Sequence, residues 1–475
     1  MRGRASLAAL GLLLLAIQLL GLQMARADSP PACRYDVAIG APPEVRLDIR
    51  VDCGALPVAR LAAVDRTLPR YLDGPTDDAG RPLERADDGW ALPAAGPRVA
   101  RYAIRLGDMG AAERSYSAAY AVGQSVLAEL SAWVLLPQPL PEGAVLHLAP
   151  RPPAGTGFAT ALRGRDGGFD LPAAALRFAG YSVFGRYREQ RLAPPGRAGA
   201  AAADVRVVTL DQATDLPADE IAAWVDDTAR AVGGFWHGFP VDRLLLVVLP
   251  QAGRDGVPYG RVIGGGGASL LLVKGERTRR EQLRADWVLI HEMVHLGSPF
   301  VWRAPWMTEG FATYFEPIIR YRAGRRSEAS LWAEFAQDMP RGLDAMEREG
   351  LGQSRRGMYW GGAIFMLLAD LEIRGRTQGR QGLEDCLRQV LREGGDATRV
   401  VSLDWMIDAC DRAIGGPTIR SLAQRHVWSQ APVDLAGIWR RLGIVRRDDG
   451  QLSLDDSAPE AWLRRAISAG RPGPV

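Results

Sequence analysis

Lysine is almost missing from this sequence: Lys274 is the single one among 58 basic residues, and with 55 acidic residues opposing them the net charge is only +3. So neutral a balance supplies no basic face for nucleic acid. The replacement of lysine by arginine, beside abundant Ala and Gly, is a compositional bias and assigns no function. Cysteine is limited to four positions, none in a C-x-x-C, which leaves no redox or cysteine-metal motif. No phosphate loop is present either, because no GK[ST] follows the glycine run at Gly264 to Gly267. No internal repeat appears, and beyond Leu22 no segment is long and apolar enough to span a bilayer. At 47% hydrophobic and 24% charged residues the chain has a globular composition, which sets aside disorder, collagen and coiled coil.

What is present begins at the N-terminus. Arg2 and Arg4 precede an apolar run from Leu7 to Leu22, and Ala25-Arg26-Ala27 supplies a cleavage site, the pattern of a secretory signal over residues 1–27. An uncleaved anchor is the alternative, though the run is shorter than the ~20 residues of a span. Export to a periplasmic or extracellular space follows, with no transmembrane span after removal of the signal. The 448 residues that remain are enough for about three domains. In an oxidising compartment Cys33 with Cys53, and Cys386 with Cys410, is the simplest of three pairings.

Periodicity divides the chain. Val45, Leu47, Ile49 and Val51 alternate with polar positions, and Val99, Tyr102, Ile104, Leu106 and Val145 to Leu148 mark further strands of a β-rich domain over 28–192. The stretch 193–203, APPGRAGAAAA, has the composition of a linker. Over 204–326 strands and helices mix: Val205 to Leu210 and the fully apolar Leu244 to Leu249 read as strands, Pro217 to Phe235 as a helix, and two strands flank the glycine run. Thr278 with Glu281 three residues on reads as a capping box that opens a helix running to about Gly297. Residues 327–475 are mostly helical. The fold class expected is multidomain α+β.

That capped helix carries His291-Glu292-Met293-Val294-His295, an HExxH. Histidines four apart leave a helix on one face a turn apart, so both imidazoles reach one Zn²⁺, with Glu292 beside it. Leu283, Trp287, Ile290 and Val294 form the apolar stripe that would bury the helix. A catalytic zinc needs a third protein ligand. Glu309 and Glu316, separated from His295 by thirteen and twenty residues, are the two candidates.

HExxH followed by Trp306-Met307-Thr308-Glu309-Gly310-Phe311-Ala312-Thr313-Tyr314 resembles the gluzincin metallopeptidases, in particular the aminopeptidase N family and the related glycyl aminopeptidase family. The resemblance spans roughly residues 205 to 445 and, more loosely, the β-rich domain. It implies a thermolysin-like α/β catalytic domain, an α-helical C-terminal domain, one Zn²⁺ per chain and a peptide or protein substrate. It also implies Glu309 as third ligand, Glu292 as general base, and Tyr359, in Tyr359-Trp360-Gly361-Gly362-Ala363, as oxyanion donor. Three departures are visible: a shorter spacer before Glu309, too few residues after Ile444 for a PDZ domain, and no acid in the glycine run. Gly265, Gly266, Gly267 and Ala268 lie where aminopeptidases of this kind place the Glu that grips a substrate amine, and they suit an edge strand that pairs with a peptide. A non-peptide hydrolase, or a zinc-bearing peptide-binding envelope protein, is the alternative function. His147, His237 and His426 read as structural, and the sequence does not set the oligomeric state.

Overall fold

The computed structural model describes residues 30–86, 89–93, 96–446 and 451–470. The expected signal over 1–27 lies outside them. No helix among the described residues is long and apolar enough to cross a membrane.

The alternation at residues 45–51 becomes the strand Arg46–Asp52, whose Leu47, Ile49 and Val51 are buried while the residues between them face outward. It belongs to a seven-stranded sheet in which Cys33–Ile39 separates it from Val145–Arg151, and Cys33 is bonded to Cys53 at the end of that pair. Leu106, expected to finish a strand, instead opens the short helix Leu106–Glu113. A four-stranded sheet of Gly157–Thr160, Tyr181–Gly185, Ser125–Glu129 and Ala119–Val122 leads to the next part of the chain. From it Leu127, Tyr181 and Val183 pack against Val208, Val247 and Leu271 in one apolar cluster.

Those last residues belong to a central sheet of β1 (Tyr187–Leu192), β2 (Asp204–Leu210), β3 (Arg243–Gln251), β4 (Tyr259–Ile263) and β5 (Ala268–Gly275), in the order β1-β2-β3-β5-β4. The inner three are parallel and the two edges antiparallel to their neighbours. Leu244 to Leu249 can be apolar throughout because β3 is covered on both faces. The chain enters this sheet at Tyr187, ahead of the Pro/Gly/Ala stretch 193–203. That stretch packs on the same body, with Gly196 bridging Phe239 and Arg197 donating to Leu391 O at 3.2 Å.

The face of the sheet opposite the N-terminal strands is covered by α1 (Ala218–Trp236), α2 (Arg280–Ala285), α3 (Val288–His295) and α4 (Pro305–Arg322). The single helix expected from Thr278 to Gly297 is therefore two. The Thr278 hydroxyl does not cap it; it donates to Gly256 O and Gly275 O at 3.0 and 2.6 Å, and the Arg279 N–H is taken by Gln282 Oε1 instead. Asp286 breaks the run and caps the second piece, accepting from Val288 N and Leu289 N at 3.2 and 2.9 Å.

Further helices close the fold, among them α5 (Glu328–Glu349), α6 (Gly362–Thr377), α7 (Leu383–Arg392) and α8 (Leu403–Ile414), with Cys386 of α7 bonded to Cys410 of α8. A buried ionic knot ties α4 to this bundle: Tyr314 Oη donates to Asp370 at 2.9 Å, and Arg374 bridges Asp370 and Glu384 at 2.9 and 2.7 Å. The three isolated histidines are structural in their contacts. His147 and His426 share hydrogen bonds with Asp170 and Ala431 O, and His237 is the left-handed residue that ends α1.

Candidate metal centre and cleft

α3 and α4 bring His291, His295 and Glu309 together. His291 Nε2 and His295 Nε2 stand 3.2 and 3.6 Å from Glu309 Oε2, and one donor atom from each residue falls within 4.8 Å of the others. A tetrahedral ion with bonds of about 2.0–2.1 Å separates its ligands by about 3.3 Å, so two imidazole nitrogens and one carboxylate oxygen at these spacings fit zinc. Among the described residues no other cluster of this kind occurs. Burial acts to raise the Glu309 carboxyl, but His295 and His291 outweigh it and hold the group well below the usual carboxylate range. Glu316, the other candidate, is turned away: it pairs with Arg320 at 3.1 Å, and burial pushes its carboxyl up to about 8.

Glu292 lies under the edge strand β4. Burial pushes its carboxyl up, while His295, His291 and the backbone N–H of Val262 pull it down. The close fit needs Gly260, where a Cβ would lie 2.4 Å from Glu292 Cγ. Sequence reading missed this residue and gave the glycine role to the run that follows. The signal was available, because a glycine inside a strand pattern marks close approach of another chain.

Tyr359 comes from a π-helical turn, Gly357–Gly361, at the start of α6. Its ring stacks on His291 at 5.9 Å between centroids, and burial followed by the charges of Glu309 and Glu292 raises its pKa, so the phenol stays protonated. Tyr359 reaches the site because α4 and α6 touch through glycines. A Cβ on Gly310 would lie 2.6 Å from Gly362 C, and one on Gly362 2.4 Å from Trp306 O.

The edge strand expected at Gly264 to Leu270 is instead β4, one side of which bonds β5 while the other faces the cleft. Gly264 to Gly267 form the turn after it. Gly265 has no backbone group to offer a peptide, since its N–H donates to Phe178 O at 2.8 Å and its carbonyl accepts from Gly180 N at 3.3 Å. Gly266 holds φ +77° in the turn, and Ala268 is buried inside the sheet opposite Leu244. Trp287, expected in the buried stripe, is half exposed and meets His291 edge-on.

Two cavities meet at Tyr259, Gly260, Glu292 and Tyr359. The larger, about 1050 Å³, holds the glycine turn, and its acids are Glu129, Glu292 and Glu309. Glu129, from the N-terminal strand Ser125–Glu129, is paired with Arg261 of β4 at 2.9 Å, and burial still pushes its carboxyl up to about 7. The smaller, about 840 Å³, lies on the far side and is walled by Trp287 and Trp360.

No known protein family and no curated protein matches the chain in sequence. Its fold does have relatives. An aminopeptidase N family protein from Idiomarina loihiensis superposes with a TM-score of 0.65, covering 90% of this chain and 82% of that one at 13% identity. An M1 zinc metallopeptidase from Deinococcus radiodurans aligns over 82% of this chain and 91% of that one, at a TM-score of 0.45 and 16% identity. The first of these shows that the chain has the fold of an aminopeptidase N family protein.

The Gly260 contact generates a prediction. Gly260→Ala leaves the fold and the cluster of His291, His295 and Glu309 in place but displaces Glu292, so turnover in the reaction proposed below falls by roughly 10², the scale of a 1 Å misplacement of a reacting group. Steady-state kinetics beside metal content read this, and a variant with unchanged turnover contradicts the contact.

Proposed function

We propose that this chain is an exported zinc metallopeptidase. The observation that carries the reading is the convergence of His291, His295 and Glu309 beside Glu292, at the point where two cavities join beneath a free strand edge. The fold shared with an aminopeptidase N family protein supports it, and two disulfides suit an exported chain.

A zinc ion held by His291, His295 and Glu309 would supply a Lewis acid for the scissile carbonyl and for water. The chain's own residues do the rest. The outward side of β4 pairs with an extended peptide backbone and lays the scissile bond across Glu292. Glu292 takes the proton of the attacking water and passes it to the leaving amine, a task suited to a carboxylate whose burial raises its pKa while neighbouring positive charge restrains it. Tyr359, protonated, donates a hydrogen bond to the oxyanion of the tetrahedral intermediate.

Glu292→Gln keeps the shape and removes the base, so it retains metal and fold while losing most hydrolysis of a peptide library. Tyr359→Phe lowers turnover by roughly 10² or more, the cost of one oxyanion donor. Normal turnover in either variant removes that residue from the mechanism.

End preference follows from the acids in the larger cavity. A substrate ammonium needs an unpaired carboxylate there, and with Glu292 and Glu309 committed the remaining acid, Glu129, is matched by Arg261. Matched peptides with free and acetylated N-termini are therefore expected to be cleaved at comparable rates. A loss of roughly 10²-fold on acetylation, the scale of a lost buried charge pair, would restore an aminopeptidase.

A further inference from the structure

The smaller cavity contains more charge than the chemistry of hydrolysis uses. Its wall carries several acids and arginines, and most of them neutralise one another at close range. Glu316 meets Arg320 at 3.1 Å, Glu334 meets Arg326 at 2.5 Å, and Asp338 meets Arg341 at 2.7 Å. Two cations are left over. Arg355 and Arg356 line the same cavity, are exposed, and their side chains make no ion pair or hydrogen bond with any described residue.

Their position gives this surplus a use. They immediately precede the π-helical turn that bears Tyr359, and Arg355 stands close enough for its charge to act on the Tyr359 phenol. Trp287, half exposed, and Trp360 supply apolar walls beside them. An extended chain lying along β4 across Glu292 runs from the larger cavity into this one, because Tyr259 and Gly260 border both. Guanidinium groups with free N–H forks bind carboxylates through two parallel hydrogen bonds, which a lone ammonium does not do. Aromatic walls beside them hold the apolar part of the same residues and keep water from competing.

We propose that Arg355 and Arg356 form a specificity subsite for carboxylate groups on the part of the peptide that enters the smaller cavity, so that the preferred substrates are acidic on one side of the scissile bond. This deepens the peptidase reading and rests on it for the identity of the substrate as a peptide. The carboxylate comes from an Asp or Glu side chain or from the chain's own C-terminus, and both present the same chemistry to the two arginines.

The test separates these sources and is independent of turnover. Calorimetry on the Glu292→Gln protein measures binding of one parent peptide in which Glu replaces Gln at each position flanking the scissile bond in turn, and in which a C-terminal acid replaces the amide. Acid on one side should tighten binding by about tenfold, the scale of one charge-assisted contact at a partly exposed site. The gain should shrink as salt is raised and disappear when Arg355→Gln and Arg356→Gln are added. In the wild-type enzyme the same preference should appear in KM more than in kcat. Equal binding of acidic and neutral peptides, or a preference that survives the double substitution, overturns the subsite. Hydrolysis without any acid preference removes the subsite and leaves the peptidase standing. Arginine-dependent acid preference in binding, with no peptide cleaved by the wild type, does the reverse.

Discussion

Glu292 and Glu309 place two carboxylates in one buried site, beside the imidazoles of His291 and His295, which bind a metal in their neutral form. Burying charge without compensation costs far more than a single contact returns. A divalent cation held by His291, His295 and Glu309 would supply the compensating positive charge. Much of the surrounding structure serves to hold these four side chains in one place.

That support is steric more than electrostatic. Asp286 starts the helix of the two histidines at the right residue, and Gly260 lets Glu292 sit under the edge strand. Gly310 and Gly362 allow the helix of Glu309 and the helix behind Tyr359 to touch backbone to backbone. The ionic knot of Tyr314, Asp370, Arg374 and Glu384 then fixes the register between those helices from behind. Such a knot contributes little net stability compared with an apolar core but leaves few alternative packings.

Much of this was legible in the residues. The HExxH spacing points to His291 and His295 because it is local and tied to helix geometry, whereas the preference for Glu309 over Glu316 came from the resemblance of the W-x-x-E-G-F-A segment to the gluzincins. Both disulfides followed from spacing, and the period-2 and apolar runs located the strands. What failed was long-range. Thr278 resembles a cap in sequence, yet its hydroxyl is claimed by Gly256 and Gly275, carbonyls distant or hidden in the linear pattern. Trp287 fits an apolar stripe by period, but the stripe does not show that a cavity opens beside it. The glycine run looked like the peptide-binding edge, whereas the backbone of Gly265 is already occupied by Phe178 and Gly180 of the N-terminal part. Nor could a sequence pair Glu129 with Arg261 across 132 positions.

The proposed chemistry requires a single ion held by two histidines and Glu309, and metal analysis of purified protein with single alanine substitutions tests that requirement. One zinc per chain is expected in the wild-type protein, lost in His291→Ala, His295→Ala and Glu309→Ala and kept in Glu316→Ala. A wild-type protein without zinc, or a Glu309→Ala variant that keeps zinc while Glu316→Ala loses it, would rule out this ligand set.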